Sequence, residues 1–221
     1  MTRAQPRQSR RRPDPLAGFT RDERAVFASF GTLSDVQAFL DGLAYDPAPG
    51  ARSPRVTLRT RRAHCFGGAL FAAAALRSFG HPPLLVDLRA VNDDDHVLAV
   101  FRHRGHWGAL GKSNCTTLRY REPIHRTLRE LALTYFELYV NTAGQKTLRE
   151  YSATLDLRPW DAAGWMFDPE PLDGIEERLE SIRHYRLLDR RQERELARTS
   201  PAVLEAVMLG SDPAGLYVPD S

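Results

Sequence analysis

Residues 65–80 read CFGGALFAAAALRSFG and are followed by His81-Pro82-Pro83. Alanine and leucine, both strong helix formers, fill the segment. Gly80 supplies a stop, and the two prolines prevent the helix from resuming. Apart from Arg77 and Ser78, every residue is apolar or small, so no face of this helix is suited to water. A helix apolar on all sides is buried, and the rest of the chain must therefore be arranged around it.

On its C-terminal side the spacing predicts a strand over Leu84–Ala90, a polar loop over Val91–Asp95 and a second strand over His96–Phe101. Arg102–His106 contains Gly105 and reads as a hairpin turn, after which Trp107–Ser113 returns as a third strand. Three strands with short connections give an antiparallel meander beside the buried helix, hence an α+β fold with a small sheet. On the N-terminal side a helix is expected over Asp22–Phe30. A second follows Thr32-Leu-Ser-Asp35, with Val36, Phe39, Leu40 and Leu43 at helical spacing. Asp46–Ser53 is a Pro- and Gly-rich loop, and Val56–Leu58 reads as a short extended piece. Beyond Pro123, Thr127–Val140 is a helix, with Thr147–Tyr151 continuing it past Gly144. Residues 155–174 are irregular, and 175–190 and 190–209 read as charged helices. The expected organisation is a disordered basic tail over 1–18, a core with N-terminal helices over 19–122, and a mainly helical extension over 123–221.

Composition narrows the function classes. Five arginines, Arg3, Arg7, Arg10, Arg11 and Arg12, lie in the first 12 residues with no acid among them; without them the net charge of +3 becomes −2. The body therefore has no general affinity for phosphate, and nucleic acid is not an expected partner. The longest apolar run, Ala69–Leu76, is too short to cross a bilayer, so no membrane partner is expected. No secretory-type apolar stretch begins the chain, and two cysteines do not make a disulfide framework, so a reduced, cytoplasmic setting is expected. A free thiol is then available for chemistry.

Thiol catalysis needs a thiolate, a base to form it and a group to hold the base. Cys65 opens the buried helix, where unpaired N–H groups and the helix dipole favour negative charge and can hold an oxyanion. Gly67 and Gly68 would let a substrate approach the first turn closely. His96 begins a strand beside a polar loop, a position from which an imidazole can reach a cleft. If the hairpin turns between Arg104 and Gly105, His96 faces Ser113, and a slip of one residue gives Lys112 or Asn114. Asn114 or Ser113 is then the candidate orienting group. Asp87, opposite Leu98 if the preceding loop is symmetric, is the alternative. The Asp93–Asp95 run reads as a solvated loop. His103 and His106 could be grouped with Cys115, but the pair lies in a hairpin turn with no CxxC, so no metal site is expected. Cys115 reads as a thiol without a role. His64 would tune the thiol or simply be exposed, Lys112 is a possible contact to a substrate, and Trp160 and Trp165 read as packing. No cofactor is expected.

The segments AHCFGGALFAAAALRSFGHPPLLVDL (63–88) and DDHVLAVFRHRGHWGALGKSN (94–114) resemble the nucleophile helix and the His-bearing strands of the transglutaminase-like superfamily, which has a papain-like thiol fold. The wording is similar to that of a bacterial subgroup of uncharacterised members. The resemblance covers roughly residues 55–120. It implies a papain/transglutaminase-like core, with Cys65 as nucleophile, His96 as base and Trp107 near the substrate. The acid that usually follows the Trp in that family is missing from Trp107-Gly-Ala-Leu-Gly111, and Asn114 would substitute for it. The expected activity is acyl transfer on a peptide or other amide, through a Cys65 thioester, by hydrolysis or by transfer to an amine. The alternative is an inactive scaffold serving as a protein-interaction module.

Overall fold

A computed structural model describes residues 14–219. The chain begins with a turn and two short helices, α1 (Arg21–Ser29) and α2 (Leu33–Asp41). Both open on capping boxes, Thr20 with Glu23 and Thr32 with Asp35, each satisfying two otherwise unpaired amides. Strand β1 (Ala44–Tyr45) pairs in parallel with β2 (Arg62–Ala63), and α3 (Pro54–Thr60) lies between them. The expected extended piece at Val56–Leu58 is thus the middle of a helix. Its start was legible in type, because Ser53 caps the Val56 amide and Pro54 occupies the first turn, where its missing N–H costs nothing.

The buried helix, α4 (Cys65–Ser78), follows directly, and every residue from Phe66 to Leu76 is buried. It packs on β4 (His96–His103), whose neighbours in the sheet are β3 (Leu84–Ala90) and β5 (His106–Leu110). The sheet is larger than the meander alone. Its order is β6 (Arg121–His125), β5, β4, β3, β7 (Leu148–Ser152), β9 (His184–Arg186), with β8 (Leu155–Asp156) also on β3, and every pairing in it is antiparallel. Both faces are covered. Leu85, Val97, Ala99, Phe101 and Leu110 meet α4 on one side. Val86, Leu88, Leu98, Val100 and Ala109 meet α5 (Leu128–Phe136) on the other. Double coverage explains why residues 96–101 are all buried and read as an unbroken apolar run instead of an alternation.

The C-terminal half departs from the helical extension expected of it. Thr147–Tyr151 is not a helix but largely β7, and β8 and β9 also come from this half; α6 (Asp173–Ser181), α7 (Arg190–Glu195) and α8 (Pro201–Met208) are short. A break at residue 122 would cut β6 in two. Residues 148–152 read Leu-Arg-Glu-Tyr-Ser, without strict alternation, and pairing with β3 decides between the two readings. Of the expected basic tail over 1–18, residues 1–13 lie outside the described residues, while Leu16 is packed into the core.

Candidate active site

Cys65 is the first residue of α4 and is half-buried at the end of the sheet. Its sulfur lies 3.8 Å from the Asp95 carbonyl oxygen and 4.0 Å from His64 Nδ1. His96, the first residue of β4, borders the same cavity as Cys65 and acts on the sulfur through hydrogen bonding and charge. Burial alone would raise the thiol, but hydrogen bonding and charge from His64 and His96 outweigh it and bring Cys65 down to about 5. A thiolate is then the resting form at neutral pH.

The orientation of His96 follows from one contact. His96 is buried, and its Nε2 lies 2.8 Å from the main-chain oxygen of Leu118. A carbonyl only accepts, so Nε2 carries the hydrogen and the lone pair of the neutral ring is on Nδ1. Gly111 makes this possible: a Cβ there would stand 2.8 Å from Leu98 Cδ2 and 3.4 Å from both His96 Nε2 and the Leu118 oxygen. The buried amide of Gln37 on α2 fastens Gly111 by accepting from its N–H at 3.2 Å and donating to its carbonyl at 2.9 Å. The loop before His96 is tied down as well. The Tyr139 hydroxyl donates to the Asp94 carbonyl at 2.7 Å, Asn141 donates to the Asn92 carbonyl at 3.0 Å, and the Ala90 N–H donates to Asp95 Oδ1 at 2.7 Å.

His64 differs from His96. It is the N-cap of α4; its Nδ1 accepts from the Phe66 N–H at 3.1 Å, and Nε2 pairs with the Gly50 carbonyl at 3.1 Å. Burial lowers its basicity, while the adjoining sulfur raises it further, to about 9. In the capped helix Nδ1 accepts from the Phe66 N–H, so proton uptake there, which the sulfur favours, costs the cap. The Gly68 N–H is taken by the His64 carbonyl. Among the described residues the Cys65 N–H has no such partner, which leaves it free for an oxyanion.

Several sequence expectations are corrected. Asn114 does not touch His96; it pairs with the main chain of Asp212. Strands β4 and β5 keep the expected register, Ala99 opposite Leu110, but pairing stops at Leu110, so Ser113 is not brought onto His96 and instead accepts from the Cys115 N–H. Asp87 lies opposite Val97, one residue off the symmetric register, and so points to the other face. There it meets His184 Nε2 at 3.0 Å, with both side chains buried. The asymmetry arises in the 91–95 loop, where Asn92 takes a left-handed φ of 54°. Gly67 faces α3 and β2, and Gly68 faces the Lys112 side chain, so neither opens the first turn to a substrate. Lys112 is buried, its Nζ donating to the Leu43 carbonyl at 2.5 Å; burial and Arg119 bring it down to about 8. Trp107 stands near the hairpin turn, four residues from Gly111, roughly 13 Å along the strand from the site. Trp165 is a core residue.

Two cavities meet at Cys65, and Tyr45, Asp94 and Asp95 border both. One, of about 360 Å³, lies on the α4 side and is edged by carboxylates that include Asp46, Asp87 and Glu176. The other, of about 70 Å³, lies on the His96 side, against Asn114, Cys115 and the C-terminal residues Gly215–Tyr217. Cys115 is thus beside the site, with its thiol pushed up by burial and by Asp93. Among the described residues no cluster of His, Cys, Asp and Glu is arranged to hold a metal, and no helix is long and apolar enough to cross a membrane. No protein-family model and no curated protein matches the chain. The Leu118 carbonyl, Gln37 and Gly111 were invisible to motif reasoning, since a main-chain oxygen has no residue type.

Proposed function

We propose that the chain is a cysteine-dependent acyl-transfer enzyme built on a transglutaminase-like, papain-like thiol core, with Cys65 as nucleophile and His96 as the proton carrier. The observation that carries this reading is the sulfur at the first turn of a buried helix, beside an imidazole whose far nitrogen is bound to the Leu118 carbonyl. The proton given up by Cys65 is held on His96 Nδ1 before substrate binds, and the thiolate attacks the carbonyl carbon of an amide. The oxyanion forms beside the Cys65 N–H. As the C–N bond breaks, His96 returns its proton to the leaving nitrogen, and a thioester remains. Water, or an amine, then attacks the thioester with His96 again taking the proton, and the thiol is regenerated.

The missing acid after Trp107 motivates the alternative of an inactive scaffold. That alternative loses its main support because the Leu118 carbonyl occupies the orienting position, and a thiolate–imidazolium pair depends on its orienter less than a serine does. The test is the pH dependence of alkylation by iodoacetamide, with adducts mapped by mass spectrometry. The folded Cys65 is held at about 5, below the ordinary thiol value of about 8.5, so its thiolate is populated throughout the interval between them. Labelling of Cys65 should be nearly flat from pH 8 to 6 and fall only as pH drops through about 5. A rate at Cys65 that climbs steadily to pH 9, like that of a free thiol, would defeat the proposal.

A further inference from the structure

The small cavity beside His96 is small because the chain's own C-terminal segment lies across it. After α8 the chain passes through a single turn at Pro213–Gly215 and continues in extended form through Leu216. Gly215, Leu216 and Tyr217 border the same cavity as Cys65 and His96. The contacts that hold the segment are backbone-directed. Asn114 Nδ2 donates to the Asp212 carbonyl at 2.8 Å, and the Asp212 N–H donates to Asn114 Oδ1 at 2.8 Å. Thr142 Oγ1 donates to the Tyr217 carbonyl at 3.1 Å. Gly215 sits so tightly on Tyr45, which borders both cavities, that a Cβ there would come within 2.1 Å of the ring, and within 3.0 Å of Asn114 Nδ2.

A side-chain amide that pairs with both the N–H and the C=O of one residue reads a peptide unit regardless of the side chain it carries. Added strands are recognised in the same way, by main-chain hydrogen bonds. From this we infer that the His96 side of the cleft is a peptide-backbone subsite, built around Asn114 and Thr142, and that residues 212–217 occupy it as an internal ligand. The substrate class is then an extended peptide or protein chain, which must displace this strap to run past Cys65 into the wider, carboxylate-edged cavity. This deepens the acyl-transfer proposal and rests on Cys65 being the reacting group. It also gives Asn114 a role, binding the substrate chain, in place of orienting the imidazole.

The experiment compares two thiol reagents of different size at pH 9, where even an ordinary thiol is largely ionised, so that access is measured apart from thiolate formation. Iodoacetamide is the small probe, and a maleimide carrying a polyethylene glycol chain is the bulky one. In the wild-type protein Cys65 should react with the bulky probe far more slowly, relative to iodoacetamide, than in Gly215→Val or Thr142→Val. Each variant should raise the bulky rate by about tenfold, the weight of one or two hydrogen bonds, and leave the iodoacetamide rate within about twofold. A synthetic peptide of residues 210–219, GSDPAGLYVP, added to Gly215→Val should restore protection. The same peptide with Asp212 replaced by proline, which has no N–H for Asn114, should not. Equal bulky rates in wild type and both variants would overturn the strap. Relief by the variants with no protection by the peptide would overturn the peptide subsite. Because pH 9 removes the dependence on His96, neither outcome can be confused with failure of the thiolate, which the profile between pH 5 and 8 tests separately.

Discussion

Two imidazoles flank one sulfur, and they differ in what their other nitrogen does. His64 is committed at both ends, accepting from the Phe66 N–H and pairing with the Gly50 carbonyl. His96 is committed at one end only, through Nε2 and the Leu118 carbonyl, and keeps the Nδ1 lone pair for the thiol. The difference lies in the elements that carry them. A helix N-cap must supply an acceptor to an unpaired amide, which uses the lone pair. The first residue of a strand has its main chain in the sheet and its side chain free to be placed by a neighbouring carbonyl. Proximity to the sulfur is therefore a poor guide to the base: His64 is the nearer in sequence, yet His96 is the ring able to take a proton without breaking a structural contact.

The largest expected effect separates these two rings. Replacing His96 by Ala should lower Cys65 alkylation at pH 6 on the order of 100-fold, since the sulfur loses its partner and reverts toward an ordinary thiol. His64→Asn keeps a good N-cap but removes one of the two rings that lower the thiol, so it should reduce the rate by less than His96→Ala does; His64→Ala should in addition cost about 1 kcal/mol of stability in chemical denaturation through loss of the cap. A loss for His64→Asn as deep as for His96→Ala would reverse the assignment of base and cap.

A smaller effect is expected where the contrast is built rather than where it acts. Gly111→Ala places a methyl against Leu98, His96 Nε2 and the Leu118 oxygen. It should destabilise the fold by about 1–3 kcal/mol through overpacking. It should also loosen the bond that orients His96, so the midpoint of the Cys65 alkylation profile moves up from about 5. A variant that loses stability but keeps that midpoint would reduce Gly111 to a packing role. The midpoint is the informative quantity, because a general loss of packing does not move it.

What could be read from the sequence follows the range of the interactions involved. Strand β3 has the bounds its pattern predicts, Leu84–Ala90, and the β4–β5 register follows from the turn at Arg104–Gly105, because these features are set within a few residues. The β3–β4 register was off by one because the 91–95 loop is asymmetric, and that single step carried Asp87 from the His96 face to His184. Residues 147–151 have a pattern that suits a helix or an edge of sheet, and only pairing with β3 across the fold decides it. The site splits in the same way. A cysteine at the head of a buried helix and a histidine at a strand start are residue types at spacings. The group holding His96 is a main-chain oxygen 22 positions away, and the partner of Asn114 is 98 positions away, and neither has a signature in composition.

The smallest expected effect concerns Lys112, which sits between Gly111 and the cleft residues and from sequence was a possible contact to a substrate. Its Cβ fills the notch left by Gly68, and its ammonium ends on the Leu43 carbonyl, away from the sulfur. Burial and the Arg119 charge already disfavour its cation, bringing it to about 8. Lys112→Met keeps the aliphatic stem and most of the volume while removing the ammonium. Loss of the hydrogen bond to Leu43 should cost about 1–2 kcal/mol in denaturant titration, partly offset because a buried charge is no longer needed. Cys65 alkylation between pH 5 and 8 should not change, because neither the first turn of α4 nor the His96–Leu118 bond depends on the ammonium. A tenfold fall in that rate, with stability intact, would mean that the ammonium acts on the sulfur directly, and the division between a functional His96 and a merely structural Lys112 would have to be redrawn.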